Sequence, residues 1–243
     1  MLLDDFRLVF VHIARTGGTS IEVALAGRDW WLISPQTKHL SARQIRVQSG
    51  EEKWNRYFKF SVVRNPWDRV VSMFATGWWM GEDRQSDAQA EFEHFIDHLA
   101  PHRNEIYSSL MYSEIIDEPL DQIIRYEALQ EGFDKVCKLI GKPPTMLGRE
   151  EARARLHYSA YYNGTTRNKV AERFKKDIED YNYTFEDTKS FNAAALKLLC
   201  RQAIMRRESY GRLLWLGPTL SVPVTRILRR ARSNLFPQAQ SSR

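Results

Sequence analysis

The sequence predicts a three-layer α/β domain built on a mainly parallel sheet. Three features carry that expectation: apolar runs of strand length, segments of helical period that follow them, and glycine- or proline-marked turns between the two. The chain has 243 residues, 43% apolar and 27% charged, enough to bury a sizeable core and typical of a globular protein. Twelve glycines and nine prolines are too few for a collagen-like or low-complexity chain.

The elements follow in order. Leu8 to Ile13 is a strand apolar enough to be buried on both faces, with His12 held among its apolar neighbours. Gly17-Gly18 breaks it, and Thr19 to Leu25 takes up helical spacing. Trp30 to Ile33 reads as a second strand, with His39 just beyond it and ahead of a helix. Phe58 to Val63 is a further strand, ended by Arg64-Asn65-Pro66, and Pro66 suits the first position of a helix carrying Val70, Val71, Phe74 and Trp78. Leu120 to Tyr126 is a strand, Glu127 to Ile140 a helix closed by Gly141, and Thr165 to Asp180 an amphipathic helix. After Phe185 the pattern changes to a helix over Phe191–Tyr210, then an apolar and basic stretch interrupted by Pro218 and Pro223. A body of residues 1–189 and a basic helical C-terminal extension of 190–243 are therefore expected.

Charge is divided the same way. From Lys197 onward there are ten bases and one acid, which leaves 26 bases and 29 acids on residues 1–196. The body is thus no polyanion binder, and nucleic acid is excluded as a partner; the tail suits an anionic membrane surface. Two cysteines, Cys137 and Cys200, cannot build a disulfide framework, and the first residues resemble neither a signal nor a span, so a cytoplasmic chain, peripheral to a membrane through its tail, is expected.

In a parallel α/β sheet ligands sit beyond the carboxyl ends of the strands, where two turns lie. Arg15-Thr16-Gly17-Gly18-Thr19-Ser20 joins a strand to a helix start, where free amides and the helix dipole hold anions and glycines allow close approach. It is no Walker loop, because no lysine follows its glycines. A plain capped turn would read equally well. Arg64, with Ser72 eight residues on, offers a guanidinium fork and a hydroxyl for a second phosphate, against the alternative of an Arg64–Asp68 surface pair. Together the two turns suggest a ligand phosphorylated at two ends.

Here a resemblance enters. His12 to Ser20 resembles the 5′-phosphosulfate loop of sulfotransferases, and Arg64-Asn65-Pro66-Trp67-Asp68-Arg69-Val70-Val71-Ser72 resembles their 3′-phosphate motif. Ile124 to Glu127, Val170 to Phe174 and Tyr183 to Phe185 are similar to the carbohydrate-type branch, family 2. The resemblance implies a P-loop-like sulfotransferase fold and the donor 3′-phosphoadenosine 5′-phosphosulfate (PAPS), with no metal. It implies a carbohydrate, glycolipid or other hydroxyl acceptor. Arg15 stands where the family has lysine, so it can stabilise the leaving phosphate by charge but is a poor proton donor. His39 is the candidate base, with Glu22 second; both Arg15 and His39 are candidate catalytic residues. Donor contacts fall to Arg15 to Ser20, Arg64, Ser72 and, from a late basic segment, Arg167, with Lys169 nearby.

Other features have bland readings. His94, His98 and His102 recur every four residues, but Pro101 interrupts the helix before the third. His157 reads as solvated, and Trp78-Trp79 as either core or a platform for rings. Two other classes share these features: a small-molecule kinase, which would need a loop lysine and magnesium, and a nucleotide-binding adaptor held at a membrane by its tail.

Overall fold

The structure is a computed structural model and describes residues 1–77, 87–99, 111–148 and 155–215. Four strands form one sheet in chain order: β1 (Leu2–Leu3), β2 (Leu8–Val11), β3 (Phe58–Val63) and β4 (Gln122–Arg125). The short β1 runs antiparallel to β2 at the edge, and β2, β3 and β4 are parallel. Ten α-helices are described: α1 (Gly18–Ala26), α2 (Ala42–Ser49), α3 (Glu51–Arg56), α4 (Pro66–Phe74), α5 (Ala88–Asp97), α6 (Tyr112–Ile115), α7 (Leu129–Leu139), α8 (Gly164–Arg173), α9 (Lys175–Asp180) and α10 (Ala193–Trp215).

Strand alternation explains the layers. Leu8, Phe10, Phe60, Val62 and Ile124 point to one face and pack with Ile21 and Leu25 of α1 and Phe133 and Val136 of α7. Val9, Val11, Val63 and Ile123 point to the other, against Ala42 and Ile45 of α2, Trp54 of α3 and Tyr112 of α6. With both faces covered, the strands need no polar side, which is why β2 reads as an unbroken apolar run. A separate cluster joins Val70 and Phe74 of α4 to Phe92 of α5, Val170 of α8 and Leu196, Leu199 and Cys200 of α10. Among the described residues no helix is long and apolar enough to cross a membrane.

Register matters for the site. Val11 pairs with Ser61 and Val63 with Arg125, so β2 and β3 end at the same edge. The turns after them are therefore neighbours in space although about fifty residues apart in sequence.

Three expectations are corrected. Trp30 to Ile33 is no strand: Trp30–Leu32 is a 3-10 turn, whose preceding residue Asp29 accepts from the Trp31 amide, while Trp30 is pinned by its N–H to Glu22 and its indole to Thr37. The β-like composition of that run is overridden by these local bonds. The span Thr165 to Asp180 is two helices broken at Phe174, which is buried in the α4–α10 cluster. His12 lies one residue past β2 rather than within it.

Candidate active site

The turn after β2 is shaped by its backbone. Gly17 has φ +85°, a left-handed conformation that admits glycine readily, and Arg15 before it is also left-handed at φ +68°. No side chain caps α1 at Gly17, so its first turn has the free-amide character of an uncapped helix start. Gly18 is required for a different reason. A Cβ there would come within 2.0 Å of His12 Cδ2 and 2.1 Å of Nε2, because the imidazole packs directly on the glycine. The Thr16 hydroxyl turns inward and donates to the Ile13 carbonyl at 2.8 Å, tying the turn to its strand.

The turn after β3 is built from side chains. Asn65 caps α4 by accepting from the Trp67 amide, and Pro66 begins the helix. The Arg64 guanidinium is held on three sides: Nε and Nη2 donate to Asp68 Oδ2, both at 2.7 Å, Nη1 donates to the Arg15 carbonyl at 2.9 Å, and the plane lies 4.0 Å from the Tyr126 ring centre. Below it, Tyr112 accepts from the Arg64 amide at 3.1 Å and donates to its carbonyl at 2.5 Å. Tyr112 itself is fixed through its amide by Asp177, whose carboxyl burial pushes up to about 6.

The two turns meet. Arg15 Nε donates to Ser72 Oγ at 3.2 Å, and Arg15, Gly17, Gly18, Thr19, Ser20, Arg64 and Ser72 wall one cavity of about 900 Å³. Thr16 is buried behind that wall. Arg167 is elsewhere: its guanidinium stacks on Phe185 at 4.4 Å, and neither residue lines the cavity, while Lys169 pairs with Glu93 and Asp97.

One contributor was not visible in the sequence. Arg155 reaches into the cavity and forms an ion pair with Asp68 Oδ1, so one carboxylate joins two guanidiniums. Burial acts to raise the Asp68 pKa, but Arg64 and Arg155 outweigh it and hold the carboxyl below its ordinary range. The Arg64–Asp68 contact is thus no solvated surface pair, since both side chains are largely buried.

Behind the first turn lies a buried ionic cluster. His12 Nδ1 is 2.5 Å from Glu22 Oε1; Lys38 Nζ donates to Glu22 Oε2 at 2.6 Å and to Asp29 at 2.5 Å. Burial works to raise Glu22, but His12 and Lys38 together bring its carboxyl down to about 2. Glu22 therefore accepts, and the proton between it and His12 belongs to Nδ1. His39 packs against this unit, its ring centre 4.6 Å from that of His12 and 5.7 Å from Trp31. Its Nδ1 lies 3.0 Å from the His12 carbonyl, which can only accept, so Nδ1 is again the protonated nitrogen. Burial and the neighbouring His12 keep His39 well below the usual histidine pKa. His12 is among the residues lining the cavity although its side chain is buried, and the half-buried His39 is not.

The remaining candidates stay apart. His94 and His98 stack at 3.9 Å on the end of α5, and His98 Nδ1 bonds to the His94 carbonyl, while His102 and Trp78-Trp79 lie outside the described residues. Among the described residues no group of three or more His, Cys, Asp or Glu side chains is placed to hold a metal ion. His157 is also on the cavity wall, ahead of the 3-10 turn Tyr158–Tyr161 and 3.5 Å from Glu186.

A strand-end site with two adjoining anion receptors, one of backbone and one of arginines, defines an enzyme class whose co-substrate carries two separate phosphate-like groups. The family described as "Sulfotransferase family" matches residues 1–184, and the chain belongs to it. It is a PAPS-dependent sulfotransferase, as the two motifs imply, and the kinase and adaptor alternatives fall. No curated protein matches the chain. Among solved structures, mouse sulfotransferase SULT7A1 complexed with PAP is a distant similarity, with TM-score 0.38 and 15% identity over 93% of this chain and 89% of that one.

Proposed function

We propose that the enzyme moves the sulfuryl group of PAPS to a hydroxyl of a carbohydrate or glycolipid. The observation that carries the donor assignment is the junction of the two turns, Arg15 to Ser72 and Arg64 to the Arg15 carbonyl, on one cavity wall. In this reading the amides of α1, with Arg15, Thr19 and Ser20, take the 5′-phosphosulfate. Arg64 and Ser72, joined by Arg155, take the 3′-phosphate. The phosphate would share the forks that Asp68 now holds, so Asp68 keeps two cations in place before the donor arrives.

Sulfuryl transfer asks that acceptor oxygen, sulfur and leaving oxygen be held in line and that charge on the leaving phosphate be stabilised. The first turn does the second of these tasks. Arg15 contributes charge rather than a proton. The acceptor proton leaves through His39, the base candidate beyond β2. A sugar acceptor is supported by the family-branch resemblance and by the polar rim of Gln130, His157 and Glu186 beside Tyr126 and Tyr158. Arg167 would join the donor site only by leaving Phe185. The cytoplasmic placement, and a basic C-terminal extension on an anionic membrane surface, belong to the same proposal.

The test is transfer of ³⁵S from labelled PAPS to a panel of oligosaccharides, glycolipids, simple phenols and tyrosine peptides. Label in the sugar acceptors is expected. Label confined to phenols or peptides would overturn the acceptor assignment and leave the donor site standing.

A further inference from the structure

We propose that Tyr112, anchored by Asp177, is a positioning residue for the donor: it fixes the backbone from which Arg64 reaches the 3′-phosphate. The inference rests on the donor reading above and begins with the place of Arg64 in the sheet. β3 ends at Val63, which is in register with Arg125, so Arg64 stands one residue past the ladder. Arg64 is buried, and its amide and carbonyl still need partners there. One hydroxyl serves both. The Arg64 amide donates to Tyr112 Oη at 3.1 Å, and Tyr112 Oη donates to the Arg64 carbonyl at 2.5 Å. Burial pushes the Tyr112 phenol up to about 12, so the group stays protonated and can donate while it accepts.

Tyr112 is fixed in turn from two other segments. It opens α6, and Met111 before it provides no side-chain cap. The Tyr112 amide donates instead to both oxygens of Asp177 in α9, at 2.9 and 3.0 Å, so a carboxylate 65 positions away caps the helix. Both side chains are completely buried. The ring is held as well. The Arg69 guanidinium lies 4.9 Å from its centre, and Arg69 Nε donates to the Ala14 carbonyl at 3.0 Å. The hydroxyl of Tyr112 therefore addresses the turn after β3, while its ring, through Arg69, addresses the turn after β2.

Tyr112 does not line the cavity, so it acts through Arg64 and touches no ligand. Asp68, the Arg15 carbonyl and Tyr126 direct the tip of the Arg64 side chain, and Tyr112 holds the backbone at its root. Without the hydroxyl, two buried backbone groups lose their partner and the chain must shift to find others. A displacement of about 1 Å at a binding group can cost up to about 10²-fold.

Tyr112→Phe isolates this role, because it keeps the ring beneath Arg69 and deletes only the hydroxyl. Calorimetric titration of Tyr112→Phe, Arg64→Ala and the double variant with 3′,5′-ADP and with 5′-AMP is the test. Tyr112→Phe should weaken 3′,5′-ADP about tenfold. Its 5′-AMP affinity should stay within about twofold of wild type. In the Arg64→Ala background the same substitution should cost less than about twofold, since the side chain it positions is gone. A residue needed only for folding would weaken both nucleotides alike. That result, an unchanged 3′,5′-ADP affinity, or losses that multiply in the double variant would overturn the proposal. Arg64→Ala without a 3′-phosphate-selective loss would remove the donor reading and this inference together, so the single variants tell the two failures apart. If Tyr112→Phe does not fold, hydrogen exchange of the wild-type enzyme decides. The Arg64 amide should be protected like those of β3, and exchange at the rate of an exposed loop amide would contradict the clamp.

Discussion

In the proposed donor site the turns after β2 and β3 would do related work with different materials. The first is a backbone site: glycines, uncapped amides and a left-handed Arg15, braced from behind by a buried ionic cluster. The second is a side-chain site, in which two arginines share Asp68 across the cavity wall. A backbone site is sensitive to any added atom and to what lies beneath it. A side-chain site is sensitive to loss of a particular charge, and its partners can come from anywhere in the chain.

The sharpest break should come beneath the first turn. Glu22→Gln removes a carboxylate that serves His12, Lys38 and the Trp30 amide at once, leaving a buried lysine short of its partner. Loss of one member of a buried ionic set costs about 3–5 kcal/mol, readable by chemical denaturation. The pH dependence has a defined sign. The Glu22 carboxyl sits at about 2 in the fold against an ordinary 4.5, so its contribution is full above 4.5 and lost as pH falls toward 2. The wild-type enzyme should lose stability through that window, and Glu22→Gln should lose less.

Gly18→Ala comes next and breaks the turn itself. With a methyl group driven into the His12 ring, overpacking should cost about 1–3 kcal/mol. Displaced amides should lower kcat by about 10²–10³-fold, the cost of losing a preorganised anion donor. Both melting and steady-state kinetics report on this variant.

At the second turn the losses should be smaller and selective. Arg64→Ala removes a charged hydrogen-bonding fork, so affinity for 3′,5′-ADP should fall by about 1.5–3 kcal/mol while 5′-AMP binding is unchanged. Arg155→Ala should show the same selectivity at about tenfold, roughly 1.4 kcal/mol. Equal loss for both nucleotides would detach these arginines from the 3′-phosphate. Calorimetric titration of each variant measures the difference.

How much of this was legible in the sequence follows from the same contrast. β2 announces itself because burial on both faces makes it apolar throughout, β3 and β4 show through their apolar cores around Phe60-Ser61-Val62-Val63 and Ile123-Ile124, and both turns carry local signals in Gly17-Gly18 and Arg64-Asn65-Pro66. Arg155 has no local signal; it reaches Asp68 across 87 positions of chain, and only folding brings the two together. The end of β2 was one residue off in the sequence, since Val-His-Ile reads as strand until the turn is seen to begin after Val11. The run Trp30 to Ile33 failed for the opposite reason: its composition is that of a strand, yet Asp29, Glu22 and Thr37 claim its amides and indole.

That both turns serve one donor is best tested by thermal stabilisation with 3′,5′-ADP beside 5′-AMP, on the wild-type enzyme and on Arg64→Ala/Ser72→Ala. At a hundred times its Kd, 3′,5′-ADP should add about 2.7 kcal/mol to the wild type. Most of that gain should depend on the 3′-phosphate and vanish in the double variant. Equal stabilisation by the two nucleotides, or a 3′-phosphate preference that survives the double substitution, would contradict a donor site spanning both turns.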